Sequence, residues 1–407
     1  MTAVTAAPKG IYLDNNATTR VDPRVVEAML PFFTEQFGNP SSIHSFGGDV
    51  GKAVRWARDQ VKALLGAEHD TEIVFTSGGT ESDNAAILSA LKTQGSRNEI
   101  ITSAVEHPAI LSLCEYLAKH EGYVLHVIPV DSLGRLDIEA YGKALSEKTA
   151  IVSFMWANNE TGTIFPIPRL AAMAKKVGAL FHTDAVQAVG KIPLDLAQTE
   201  VDFLSLSGHK LHGPKGIGAL YVRRGVRFRP MIRGGHQERD RRAGTENTTG
   251  IIGLGKACEL ALSYMEEENT RVRALRDRLE QGIMSQVSHC FVTGDAANRL
   301  PNTCNIAFEY IEGEAILLFL NRAGIAASSG SACTSGSLEP SHVMRAMSVP
   351  FTAAHGATRF SLSRETTEAE VDATIAVVPG IVDKLRGLSP FWDKSASQAE
   401  SFQPAYS

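Results

Sequence analysis

Five groups of polar residues each stand directly after an apolar run of the chain: Ser77-Gly78-Gly79-Thr80, Glu106-His107, Asn158-Asn159, Asp184 with Gln187, and Ser207-Gly208-His209-Lys210. Each can do chemistry. Gly-Gly-Thr at the start of a helical pattern offers backbone N–H groups that can cradle a phosphate. Lys210, just past a strand pattern, can form a Schiff base with a carbonyl compound. Lys215 is its rival, although "GPKGIGALYV" makes that lysine the lead-in to the next strand. Asp184 ends an apolar run, and a buried carboxylate needs a cationic or donor partner. Every group also has an ordinary reading. Thr80, His107 and Asp184 can be helix caps, and Lys210 a solvated amine. Singly they decide nothing; together, in chain order and each at a strand end, they point to one site. A further feature lies apart. "ASSGSACTSGS", residues 327–337, sets Cys333 among small residues with no helical or strand period. Free cysteine is usually buried, yet this stretch reads as an exposed loop.

The elements that must position these residues follow from the hydrophobic pattern. "EIVFTSG", "EIITSAVEH", "YVLHVIPV", "TAIVSFMWAN", "ALFHTDAV", "VDFLSLSG" and "IGALYV" read as strands. Several are apolar throughout, as strands covered on both faces are. Helical patterns alternate with them at 80–92, 108–122, 137–146 and 167–178. Repeated βα units imply an α/β fold with a mostly parallel sheet between helices, and ligands bind such sheets at the strands' C-terminal ends. A long helical stretch is expected over 248–287. After it, "TCNIAFEY", helices near 313–323 and 366–386, and "TRFSLS" suggest a smaller α+β domain, with a boundary near 262.

The chain has 407 residues, 43% hydrophobic and 21% charged, with net charge −5. That balance is ordinary for a globular enzyme and argues against general binding to nucleic acid or anionic membrane. The stretch 223–242 carries eight arginines but also Glu238 and Asp240; a dimer interface or cofactor rim suits it better than nucleic acid. Five cysteines without a CxxC pair suggest reduced thiols and a cytoplasmic protein. Cys114, Cys258, Cys290 and Cys304 fall on helix or strand patterns and read as core. "HKLH" resembles a metal pair, but spacing alone is weak. No leader peptide and no membrane-length apolar run is evident.

A phosphate cradle, a lysine and an aspartate able to keep a pyridine nitrogen protonated together make a pyridoxal 5′-phosphate site. The runs "YLDNNATT", "FGNPSS.H", "TSGGTES", "EHPAI", "NNETGT", "HTDAVQA", "SGHK..GPKG", "GTEN" and "GSACTSGSLEPSHV" resemble the cysteine desulfurases of the class V aminotransferase group, over nearly the whole chain in order. "GGHQER.RRAGTEN" and the cysteine loop are most similar to the nitrogen-fixation branch; Asp240 departs from it, standing where Gly is expected.

The resemblance implies pyridoxal-phosphate transferase fold type I. Its seven-stranded, mostly parallel sheet would occupy a cofactor domain at 21–262. A small domain at 263–407 would carry the cysteine loop, and residues 1–20 would pack with it. Lys210 then corresponds to the lysine that carries the cofactor, and Asp184 to the partner of the ring nitrogen. Gln187 corresponds to the donor to the ring oxygen, Asn159 to a further cofactor and substrate contact, and His107 to the imidazole stacked on the ring. Gly79, Thr80, Ser207 and His209 correspond to phosphate ligands. Thr245 corresponds to one supplied by the second subunit of a homodimer, and Arg359 to the arginine holding the substrate carboxylate.

Cys333 corresponds to the nucleophile that takes sulfur from L-cysteine, leaving L-alanine and a persulfide. Through that persulfide it would make a transient contact with an iron–sulfur scaffold, for nitrogenase maturation. A thiolate is required, and His107 is one candidate to generate it. Roughly 12 loop residues anchored at both ends can reach about 20 Å. A selenocysteine lyase, a housekeeping desulfurase or an aminotransferase of the same fold are the alternatives. A non-enzymatic iron–sulfur scaffold or thiol carrier would call for clustered cysteines, which the sequence lacks.

Overall fold

A computed structural model describes residues 10–329, 340–390 and 392. The chain enters as a short strand, β1 (Ile11–Tyr12), and then builds the main sheet from β2 (Ile73–Thr76), β3 (Glu99–Ser103), β4 (Val124–Ile128), β5 (Thr149–Ser153), β6 (Leu180–Asp184), β7 (Phe203–Ser207) and β8 (Gly218–Val222). The seven strands lie in the order β2-β8-β7-β6-β5-β3-β4. Strands β2, β5, β7 and β8 are buried at every position, and with both faces covered β2 and β8 run apolar without alternation. The helices Gly79–Thr93, Pro108–His120, Ile138–Ala144 and Ile167–Lys176 fall where the apolar spacing predicts them.

Strand β8 is the antiparallel member, paired so with both β2 and β7. The link from β7, residues 208–217, holds one short 3₁₀ turn, too little chain for a parallel crossover. Two antiparallel steps make β2 parallel to β7. The C-terminal ends of β2, β3, β5, β6 and β7 therefore share one edge of the sheet, and every polar group noted above follows one of them.

The expected helix over 248–287 is two pieces, Thr248–Ser263 and a helical run Met265–Met284 with a π turn at Glu268–Val272. Between them Tyr264 lies under the guanidinium of Arg364, 4.6 Å from its ring centre. Beyond this break come β9 (Cys290–Val292), β10 (Thr303–Phe308), β11 (Ile325–Ala326) and β12 (Ala357–Ser361). β9, β10 and β12 form an antiparallel sheet, and β1 pairs in parallel with β11. Cys290, expected in the core, is only half-buried, because β9 is that sheet's edge strand. A separate apolar cluster gathers Leu279, Ile306, Phe308, Phe360 and Val382, and takes in Leu13 from the N-terminal segment. On these clusters we propose the division near residue 262.

Most arginines of the 223–242 stretch turn inward to their own chain. Arg223 donates to the carbonyls of Val201, Leu196 and Thr199, and Arg242 pairs with Glu81 at 2.9 Å. Glu238 is buried and accepts a bidentate pair from Arg58 at 2.7 and 2.8 Å. To reach it, Glu238, Arg239 and Asp240 adopt positive φ of 47°, 57° and 64°. The left-handed backbone at 240 suits the Gly expected there, and Asp is among the residues that tolerate it. Removing one partner of a buried ion pair strands the other, at a cost of about 3–5 kcal/mol. Arg58→Ala is therefore expected to lower stability by about that amount in urea unfolding. Arg58→Met with Glu238→Gln is expected to lose clearly less, since no charge is left unpaired.

Candidate active site

A cavity of about 400 Å³ opens at this sheet edge. Gly79 and Thr80 reach it from the end of β2, His107 from β3, Asn159 from β5, Asp184 and Gln187 from β6, Ser207, His209 and Lys210 from β7, and Arg359 from β12. Thr245 is exposed and does not line it; Cys333 lies outside the described residues. Lys215, the rival lysine, is exposed on the lead-in to β8.

Lys210 Nζ donates to the carbonyls of Asn16 and Ala17 at 2.6 and 2.7 Å. Asp184 is buried and accepts from the Val186 N–H at 2.9 Å, and burial pushes its carboxyl upward. His107 is both cap and cavity residue. Its Nδ1 accepts from the Ala109 N–H at 3.1 Å at the start of helix Pro108–His120. Burial pulls the imidazole below its usual range, so the ring is neutral, and with Nδ1 accepting, its proton sits on Nε2.

Asn158 proves to be a scaffold residue. Its Oδ1 accepts from the N–H groups of Glu160 and Thr161, both at 2.9 Å, building the turn that presents Asn159. Arg359 donates to the Asn159 carbonyl and to Asp14, both at 2.9 Å. Its Nε is buried without a hydrogen-bond partner among the described residues.

Residues 11–374 match the family described as Aminotransferase class-V. The chain belongs to the class-V aminotransferases. Among these, it is 71% identical over 396 residues to a cysteine desulfurase of Gluconacetobacter diazotrophicus, covering 97% of this chain and 99% of that protein. It is 66% identical over 399 residues to the cysteine desulfurase NifS of Azotobacter vinelandii, with 97% and 99% covered. A solved NifS-like protein superposes with a TM-score of 0.86 at 40% identity, over 92% of this chain and all (100%) of that one. The structure of SspA in complex with cysteine superposes at 0.77, with 34% identity over 86% and 98%.

As a class-V aminotransferase the chain is a pyridoxal-phosphate-dependent enzyme, and the cavity fits that cofactor. Helix Gly79–Thr93 points its N-terminal backbone donors at the site, as a phosphate requires. A Cβ at Gly79 would stand 2.9 Å from Val186 Cγ2, so any side chain there would have to displace Val186. Asp184 offers the buried carboxylate that a protonated pyridine nitrogen neutralises. Arg359 Nε is a buried donor available to a carboxylate.

Two further residues at the site, Asn16 and Asp83, carry no signal in the sequence, and Glu106, which stands out there beside His107, has no role assigned by it. Asp83 lines the cavity, its Oδ1 3.5 Å from His182 Nε2; burial raises its carboxyl, and Asp184 adds to the rise. Glu106, behind His107, accepts from Ser103 Oγ at 2.6 Å and from the Met155 N–H at 2.9 Å, both at Oε1. Burial pushes its carboxyl up to about 8. The folded protein thus keeps this proton through a range in which the unfolded chain has lost it, so its contribution to stability falls as pH rises from about 4.5 towards 8. Glu106→Gln preserves the accepting oxygen and carries no charge to lose. Its stability relative to the parent is expected to rise between pH 5 and 8, by on the order of a few kcal/mol. Urea melts across that range check it; a difference that does not change with pH contradicts it.

Proposed function

We propose that this chain, a cysteine desulfurase by its place among those relatives, moves the sulfur of L-cysteine onto Cys333 and delivers it for iron–sulfur cluster assembly, specifically for nitrogenase maturation. One observation carries the residue assignment. Both flanks of the segment holding Cys333 are tied to Arg359, which lines the cavity with Lys210, Asp184 and His107, or to residues next in sequence to its lining. Ser328 bridges to Arg359. On the far side Ser341 Oγ donates to the Glu160 carboxylate at 2.6 Å, and His342 Nε2 to the Glu106 carbonyl at 2.9 Å.

When bound, pyridoxal phosphate supplies an electron sink for the carbon bonded to the substrate amine. The chain does the rest. Gly79, Thr80, Ser207 and His209 hold the phosphate, joined by Thr245 of a second copy. Asp184 keeps the ring nitrogen protonated, Gln187 donates to the ring oxygen, and His107 and Asn159 pack against the ring. Arg359 orients the L-cysteine carboxylate. Lys210 carries the cofactor at rest and takes the Cα proton once displaced.

The Cys333 thiolate attacks the substrate sulfur. The new S–S bond forms as the Cβ–Sγ bond breaks, and the electron pair of the broken bond stays on the carbon that becomes the methyl of alanine. In balance, L-cysteine and the Cys333 thiol become L-alanine and a Cys333 persulfide. The other cysteines are poorly suited to this step. Burial raises the thiols of Cys114, to about 12, and of Cys258, Cys290 and Cys304, and a raised thiol is a weak nucleophile.

A homodimer is supported by the exposed apolar side chains Leu30, Phe33, Phe37, Ile43 and Phe46. Thr249, four residues beyond Thr245, hydrogen-bonds to the Phe32 carbonyl beside them. No helix among the described residues is long and apolar enough to cross a membrane, and the reduced cysteines suit a cytoplasmic enzyme. The direct test is incubation of the purified protein with L-cysteine and a thiol reductant. Alanine and sulfide are expected in equal amounts. Turnover of L-selenocysteine with none of L-cysteine would overturn the substrate assignment.

A further inference from the structure

Lys191 lies beyond the turn after β6, and its side chain is buried. Nζ is 2.8 Å from Gln187 Oε1 and 3.1 Å from Asn16 Oδ1. Both contacts need an N–H donor, and the amine has enough of them in either protonation state. Each amide is thereby turned one way round, with its oxygen to Lys191 and its NH₂ group elsewhere. Gln187 Nε2 donates to the Asn16 carbonyl at 2.9 Å, leaving its second hydrogen on the cavity-lining end of the side chain. Asn16 Nδ2 donates to Thr303 Oγ1 at 2.9 Å and to the Asn159 carbonyl at 3.2 Å. The Asn16 carbonyl is also where Lys210 rests.

Glu268, buried, lines a small pocket together with Lys191, and its Oε2 has no hydrogen-bond partner among the described residues. It opens the π turn Glu268–Val272, and such turns gather at functional sites. The next residue, Asn269, fixes the Lys191 carbonyl at 2.9 Å.

We propose that Lys191 is a positioning residue: it locks the Gln187 amide in its donating orientation. The inference rests on the reading above that Gln187 donates to the cofactor ring oxygen. A lysine serving only the fold would act independently of Gln187, and a double-mutant cycle separates the two cases.

The full-length chain, freed of cofactor, is titrated with pyridoxal 5′-phosphate and followed by its visible absorbance. Lys191→Met is made alone and with Glu268→Gln, so that one variant leaves no buried charge unpaired. Lys191→Met with Glu268→Gln is expected to bind the cofactor about tenfold more weakly, because the Gln187 amide is no longer held to donate a hydrogen bond to it, with a displaced absorbance maximum. In a Gln187→Ala background the same Lys191→Met change is expected to alter affinity by less than about twofold. Equal weakening in both backgrounds, or wild-type affinity and absorbance in the charge-balanced variant, overturns the inference alone. A wild-type chain that develops no cofactor absorbance overturns the reading of the site, and the inference with it.

Discussion

Lys210→Ala is expected to leave a folded protein that holds no covalently attached cofactor, with desulfuration reduced by at least about a thousandfold. Lys215→Ala is expected to keep both. The two lysines are five positions apart in sequence, but only Lys210 lines the cavity, while Lys215 is exposed beyond it. Lys210 is asked to do two things, to anchor the cofactor and to move the Cα proton, and alanine does neither. Asp184, Gln187 and the phosphate cradle are untouched, so the variant is still expected to bind pyridoxal phosphate reversibly. Borohydride reduction of the parent protein followed by peptide mapping reads the attachment directly. Label on Lys215 would sink the assignment whatever the kinetics.

Cys333→Ser has an expected effect of similar size and a different signature. A serine hydroxyl is a far weaker nucleophile than a thiolate at neutral pH. It also cannot receive sulfur as a persulfide. Alanine and sulfide formation are expected to fall by at least about a thousandfold. Cofactor content and the absorbance change on adding L-cysteine are expected to survive, because Lys210, Asp184 and Arg359 remain. Loss of the absorbance change would place Cys333 in binding rather than in sulfur transfer.

Most of the site was legible because a parallel sheet turns local sequence into position. A polar group that follows an apolar run in a βα unit must come out at one edge, whatever the distant contacts are. Gly79, His107, Asp184 and Lys210 could therefore be collected before any packing was known. The antiparallel turn of β8 follows equally from the shortness of the link before it. What stayed hidden depends on pairs far apart in the chain. Asn16 meets Lys210 across 194 positions and Lys191 across 175, and nothing local in "YLDNNATT" announces either contact. Asp83 falls inside a helix whose polar positions would ordinarily face water; here both sides of Gly79–Thr93 are covered, and Ser82, Asp83 and Ser89 are buried with the alanines. His107 and Asp184 carried two readings each, cap and ligand. The structure reconciles them for His107, because the cap uses Nδ1 and leaves Nε2, and for Asp184, because the Val186 N–H engages only Oδ1.

Sulfur transfer to Cys333 is read out by the mass of the peptide that contains it. The parent protein, treated with L-cysteine in the absence of reductant, is digested under conditions that preserve persulfides. The added mass of one sulfur atom is expected on that peptide, removed by a reductant and by an iron–sulfur scaffold, with one alanine released for each sulfur gained. Sulfur found on the peptides of Cys114, Cys258, Cys290 or Cys304, or alanine released while Cys333 stays unmodified, would contradict it.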